Sequence, residues 1–488
     1  MGTTPTRARR AAPADRGLGA GPARARPRAR RAGYAGGVRR GGGRAGGGAQ
    51  ARRRGLGRPA RAALAAVFAL GCALLAPPRP LPPELLDALA ARAEAARGLR
   101  FEGPVGAVFV PPEGLHGVLA RELDAGYGRA DFQRAEAVGE ALGLWPAGLD
   151  LREAVLELQT RSVAGFYTPL RRRLVLVLEE PPAAAGLAPR LEAVAVHELV
   201  HALQDAHSPL LAVLLGLDDH DDLAFAIGAV LEGDALLAAF RDRAAQGGGP
   251  PPSPEAFAGE LGDAPGDASL PRFLRDALLL QYPLGYAAAT ALEAKGGRAA
   301  LDAALREPPL SSEALLHPRP DGTPAAAPLP WLDLEGAALE PAGCRALGSN
   351  AFGELGLRAF ARERGASEAR ARSAAAGWDG DRALALACAE GSASVWLAQF
   401  DAEVDALEFA AVAQASRRPG EVVERAGRRV LLAHRLPPGA RRAALAAPEA
   451  RHADLAAYLA ARPQVLARAD RLRRAAAWGG RPAGVGGR

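Results

Sequence analysis

The chain has 488 residues, a formal net charge of +7 and three cysteines. That length allows two or three domains with an ample core, and so few cysteines exclude a disulfide-scaffolded miniprotein. Beyond residue 76 no segment reads as transmembrane.

The charge is unevenly spread. Residues 1–61 hold 17 arginines against one acid, Asp15, a balance of +16, while the remainder carries 44 basic and 53 acidic groups, or −9. This arm is rich in Arg, Gly, Ala and Pro, has one aromatic residue, Tyr34, and has too little apolar content to fold. An arginine-glycine segment can bind nucleic acid. The lack of interleaved aromatic rings argues against that here, so no nucleic-acid partner is expected.

Residues 62–76 form a 15-residue apolar run after Arg58 and Arg61, closed by Pro77-Pro78-Arg79-Pro80. The run is short for a membrane span, which needs about 20 residues, and fits a signal-peptide core. Leu70-Gly71-Cys72 resembles a bacterial lipoprotein box with its leucine one place off, so lipidation of Cys72 is expected. A cleaved secreted protein and an uncleaved anchor are the alternatives. The expected location is extracytoplasmic and membrane-associated.

Next come a helix near 83–98, a strand near 105–110, and helices near 113–126 and 131–142. Residues 162–167 and 174–178 read as two strands joined by the turn 168–173. Residues 191–204 contain no Gly or Pro, and Leu191, Val194, Ala195, Leu199, Ala202 and Leu203 recur at helical spacing. His197-Glu198-Leu199-Val200-His201 therefore falls on a helix. Two imidazoles four residues apart, about 6 Å along the axis, face the same way and can reach one zinc ion. Glu198 between them is placed to act as a general base on zinc-activated water.

A catalytic zinc usually takes a third protein ligand, and three candidates lie downstream. His207 stands ten residues after His197. However, Gln204 occupies the place where a glycine would turn the chain back, and a continuing helix carries His207 about 15 Å away. The cluster Asp218-Asp219-His220-Asp221-Asp222 reads more naturally as a solvated loop capping the next helix. Glu232 and Asp234 are the only charges between Asp222 and Arg241, on an apolar helix where a lone charge is costly unless paired or bound to metal. Asp234 is suited to accept the second N–H of a ligating imidazole.

Val196-His197-Glu198-Leu199-Val200-His201-Ala202-Leu203-Gln204-Asp205, followed by Leu231-Glu232-Gly233-Asp234-Ala235, resembles the gluzincin class of zinc metallopeptidases. It is similar in particular to a poorly characterised group of bacterial extracytoplasmic proteins. Further blocks are shared with that group: Ala164-Gly165-Phe166-Tyr167, Gln281-Tyr282-Pro283-Leu284-Gly285-Tyr286, residues 308–313 running to His317-Pro318, and Gly377-Trp378-Asp379-Gly380-Asp381. The resemblance spans roughly residues 100–410. It implies His197, His201 and Glu232 as the ligands of Zn2+, Glu198 as the base, and peptide or protein substrates. The oxyanion donor is sought among Tyr282, Tyr286, Tyr167 and His317, with Tyr282 preferred because Tyr-x-x-Gly lets backbone approach closely. Tyr282 is expected on a helix over 273–294.

Residues 246–254, rich in Gly and Pro, read as a loop that is either a lid or a simple connector, and 318–330 as a linker. Beyond lie helices at 353–365, 368–376 and 404–415. Hairpins are expected at 383–389 with 394–399 and at 422–424 with 429–434, and a basic helix at 451–477. Cys344 and Cys388 either pair with each other, if exported, or sit as small buried hydrophobes.

The expectation is thus an α+β fold: a disordered arm (1–61), a signal or lipoprotein segment (62–80), a mainly helical zincin-like metal domain (81–325) with a β-hairpin beside the motif helix, and a C-terminal α+β domain (326–488). The expected function is zinc-dependent peptide hydrolysis at a membrane. Its rivals are a non-catalytic, zinc-stabilised binding or chaperone-like lipoprotein and an arginine-rich nucleic-acid binder.

Overall fold

The run bearing the two histidines folds as one helix, Pro189–His207, with Pro189 opening its first turn, where no intrahelical N–H is needed. This computed structural model describes residues 78–182, 186–262, 270–337 and 343–478. The arm, the apolar run 62–76 and the lipidation site Cys72 lie outside the described residues. From residue 78 onward the described chain belongs to one compact α+β unit.

The motif helix rests on a four-stranded sheet of order β1-β2-β4-β3, built from Arg79–Pro80 (β1), Gly106–Val110 (β2), Gly165–Thr168 (β3) and Arg173–Val177 (β4). The expected hairpin of β3 and β4 is present, and β2 joins it by pairing parallel to β4 across more than sixty residues of sequence. β3 is left as an edge strand. Leu174 and Leu176 on β4 meet Val196, Leu199, Val200 and Leu203 of the motif helix, and Leu89 and Ala93 of helix Pro83–Arg97 close the same core. A helix over Leu151–Ser162, capped by Asp150, occupies residues for which the sequence analysis offered no element except a strand start at 162.

Helix Asp221–Ala245 is long and apolar enough to cross a membrane, contrary to the sequence reading, yet most of that stretch is buried in the protein as a core helix. It crosses helix Gln281–Arg306 with backbone against backbone. A Cβ on Gly233 would lie 2.0 Å from the Gly285 carbonyl oxygen, and one on Gly285 would lie 1.9 Å from that of Ala229. Two blocks of the sequence, Glu232-Gly233-Asp234 and Tyr282-x-x-Gly285, are therefore the two sides of a single contact. The single helix expected over 273–294 is two, Arg272–Leu279 and Gln281–Arg306, because Pro283 has no N–H to offer the Leu279 carbonyl.

The C-terminal part is built on an antiparallel sheet of order β6-β7-β8-β10-β9 (Arg345–Asn350, Trp378–Cys388, Gly391–Phe400, Arg429–His434 and Glu421–Ala426). Helices Gly353–Glu363 and Glu403–Ala415 cover one face through Phe360 and Phe409, which pack with Trp378 and Trp396. Helix Pro438–Leu445 covers the other over Leu384, Val395 and Leu431. Asp381 explains the Gly-Trp-Asp-Gly-Asp block: its buried carboxylate accepts the N–H groups of Phe352, Gly353, Trp378 Nε1 and Trp396 Nε1. Of the two readings left open for Cys344 and Cys388, the structure has the disulfide.

Two expectations fail here. The basic helix at 451–477 is instead strand β11 (Glu449–His452), helix Leu455–Ala461 and helix Gln464–Trp478, broken at Arg462-Pro463, where proline disfavours helical backbone before it. The linker ends early, since Leu329–Leu332 forms β5 and pairs with β11. The last helix returns to the motif helix, with Arg473 paired to Asp205.

Candidate metal centre

The helical offset of four brings His197 and His201 side by side, with their Nε2 atoms 3.1 Å apart. Glu232 arrives from helix Asp221–Ala245: its Oε2 lies 3.1 Å from His197 Nε2 and 3.6 Å from His201 Nε2. Three ligands on a tetrahedral zinc with bonds of about 2.05 Å stand roughly 3.3 Å apart, and the three observed edges bracket that value. The donor set, two imidazoles and one carboxylate, suits zinc and leaves a fourth position for water.

The electrostatics also favour a cation at this point. Burial alone would push Glu232 up, but the two imidazoles hold its carboxyl well below the usual range. Burial likewise opposes charge on His201, yet Glu232 raises it to about 9. Without metal, Glu232 and His201 are thus stabilised as a carboxylate–imidazolium pair, whose positive charge a bound ion would replace.

A buried relay fixes the ring of His201. Its Nδ1–H donates to Gln204 Oε1 at 2.8 Å, so the neutral ring holds its proton there and would offer Nε2 to a metal ion. Gln204 in turn donates through Nε2 to the Leu231 carbonyl (3.0 Å) and to Asp234 (2.9 Å). The Asp234 carboxylate is held 2.7 Å from Arg97, whose guanidinium also reaches Asp302 at 2.7 Å. Asp234 was expected to accept directly from an imidazole. Instead Gln204, three residues after His201 and on the same helical face, occupies the intervening space, and Asp234 acts through it. In the sequence Gln204 stands out as a non-glycine and as part of the shared motif, with no role assigned to it, and Arg97 was missed altogether. The i, i+3 spacing from His201 was the available signal for Gln204; Arg97 left none.

Glu198, the residue after His197, lines the same cavity as that histidine. Its Oε2 accepts the backbone N–H of Tyr167, on edge strand β3, at 2.8 Å. Burial raises its carboxyl, against the pull of the two histidines. A cavity of about 640 Å³ opens beside it, lined by His197, Glu198, Tyr282, residues 162–165 at the start of β3, Leu236 and Phe240. Tyr282 is brought there by the Gly233–Gly285 crossing. The charge of Glu232, with burial and Glu198, raises its phenol well above the ordinary value, so it stays a donor, and its hydroxyl has no partner among the described residues.

The other oxyanion candidates are occupied elsewhere. The Tyr167 hydroxyl donates to Asp205 (2.9 Å), and that of Tyr286 to the Pro252 carbonyl (2.8 Å). His317 is bound to buried Glu354 at 2.9 Å. His207, the last residue of the motif helix, donates to the Arg100 carbonyl at 2.7 Å and takes no part in the triad.

The acidic cluster 218–222 is not a solvated loop. Asp219 is paired with Arg382 and Arg462, and Asp222 accepts from Ser312 N–H, while His220 caps helix Asp221–Ala245. Those arginines come from more than 160 residues downstream, which is why local sequence suggested water instead.

Residues 342–448, the segment carrying the five-stranded sheet, match a family model described as Domain of unknown function (DUF8575). No curated protein and no solved structure matches the chain.

Proposed function

We propose that the protein is an exported, membrane-associated zinc peptidase of the gluzincin kind. The observation that carries this reading is the triangle of His197, His201 and Glu232, whose edges of 3.1, 3.1 and 3.6 Å suit one tetrahedral ion. When bound, zinc supplies a Lewis acid and lowers the pKa of water at its open position toward about 7. Glu198, held by the Tyr167 N–H and raised by burial, would serve as the general base, its carboxylate accepting the proton of the attacking water and passing it to the departing amine. Tyr282 donates its hydroxyl hydrogen to the peptide carbonyl oxygen as that atom gains charge. On the outer edge of β3 the Tyr167 N–H is taken by Glu198, and the neighbouring main-chain groups of that edge are left to an extended peptide.

Two further features support export. The apolar run 62–76 has the length of a signal core, and the Cys344–Cys388 disulfide belongs to an oxidising compartment. The test combines metal analysis with cleavage of a peptide library by wild type and Glu198→Gln. The substituted protein is expected to retain zinc and lose cleavage. Cleavage that survives this substitution, or that survives chelation of the metal, overturns the reading.

A further inference from the structure

The cavity beside Glu198 has a second chemical feature. Its wall is apolar on one side, through Val194, Leu236, Ala239 and Phe240, and its rim carries two guanidiniums, Arg190 and Arg243. Glu198 is the only carboxylate among the lining residues. Arg243 uses its Nε on the Gly248 carbonyl at 3.1 Å, which fixes the side chain and leaves its terminal nitrogens open. Neither arginine has a carboxylate partner among the described residues, although the chain outside the arm carries more acids than bases.

We propose that this cavity binds an apolar peptide side chain and that Arg190 and Arg243 receive a carboxylate of the same peptide, within about three residues of the cleaved bond. The spacing follows from the helix. Arg190 precedes His197 by seven residues, about 10 Å along the axis, and an extended peptide advances about 3.3 Å per residue. The carboxylate is a chain terminus or an acidic side chain; both present the same planar, bidentate acceptor to a guanidinium. The inference rests on the peptidase reading for the position of the cleaved bond, but the binding itself is measurable without turnover.

The experiment uses zinc-loaded full-length protein carrying Glu198→Gln and calorimetric titration with three versions of one acetylated apolar tetrapeptide. These are the free acid, the C-terminal amide, and the amide with aspartate in the third position. The amide is expected to bind about tenfold more weakly than at least one of the carboxylate peptides. Arg190→Gln with Arg243→Gln is expected to abolish that difference. A preference for the free acid alone identifies the chain terminus as the source, and a preference for the aspartyl amide alone identifies the side chain. Equal binding of all three peptides, no binding, or a preference that survives the double substitution overturns the proposal. Cleavage by wild type without carboxylate preference sinks only this inference, whereas carboxylate-selective binding without cleavage by wild type sinks only the peptidase reading.

Discussion

Replacing Gln204 by leucine is the most informative perturbation away from the three proposed metal ligands themselves. Leucine keeps most of the volume but removes the acceptor for His201 Nδ1–H and the donors to the Leu231 carbonyl and Asp234. Gln204 is fully buried, so the His201 Nδ1–H is left with neither acceptor nor water, while Asp234 keeps Arg97 and the Leu231 carbonyl keeps its place in the helix ladder. At roughly 1 to 3 kcal/mol for one buried donor stranded, and with the helix packing retained, a loss of about 2 kcal/mol of metal-free stability is expected. Loss of an outer partner also frees the imidazole to rotate and to take the wrong tautomer, which typically weakens zinc by 10- to 100-fold. The assay is zinc affinity by chelator competition, with urea unfolding in excess chelator to measure the fold alone. Ser312→Ala is the control. It strands a Leu355 N–H in a buried place far in sequence from the triad and is expected to lower stability without changing zinc affinity. Unchanged zinc affinity in a folded Gln204→Leu protein refutes the relay.

Other outcomes follow from the same contacts. Gly285→Ala puts a methyl group 1.9 Å from the Ala229 carbonyl, so the two helices must part. A cost of at least 1 to 3 kcal/mol is expected in thermal unfolding, with weaker zinc binding as Tyr282 and Glu232 separate. Burial depresses His220 to about 3 while the unfolded chain titrates near 6.5, so the unfolded state binds the extra proton between those values. Stability therefore falls as pH drops from about 6.5 toward 3, and His220→Asn is expected to flatten that slope in urea titrations. Replacing Cys344 and Cys388 by serine releases a loop closed across 44 residues of sequence. The entropic account gives about 4 kcal/mol, read as a lowered urea midpoint that reductant reproduces in the wild type.

Much of the candidate metal centre was legible because it is local. The pair His197 and His201 needs only helical periodicity, and Glu232 stood out as a lone charge on an apolar helix. Tyr282 was marked by its i+3 glycine, and the Gly233–Gly285 crossing is the close approach that spacing required. The parts that escaped depend on partners distant in sequence. Arg97 reaches Asp234 across 137 residues, and Arg382 and Arg462 bury an acidic cluster whose local composition reads as exposed. β2 pairs with β4 through backbone atoms, which side-chain alternation does not register. Proline was underweighted twice, at Pro283 and Pro463, where a missing N–H and a restricted preceding residue outrank good helical composition on either side.

X-ray absorption at the zinc edge of the metal-loaded protein tests the central claim most directly. Two imidazole nitrogens at about 2.0 Å, a carboxylate oxygen and one exchangeable oxygen are expected, with one light-atom ligand and most of the affinity lost in Glu232→Ala. A coordination sphere that is unchanged in Glu232→Ala, or a protein that binds no zinc, contradicts it.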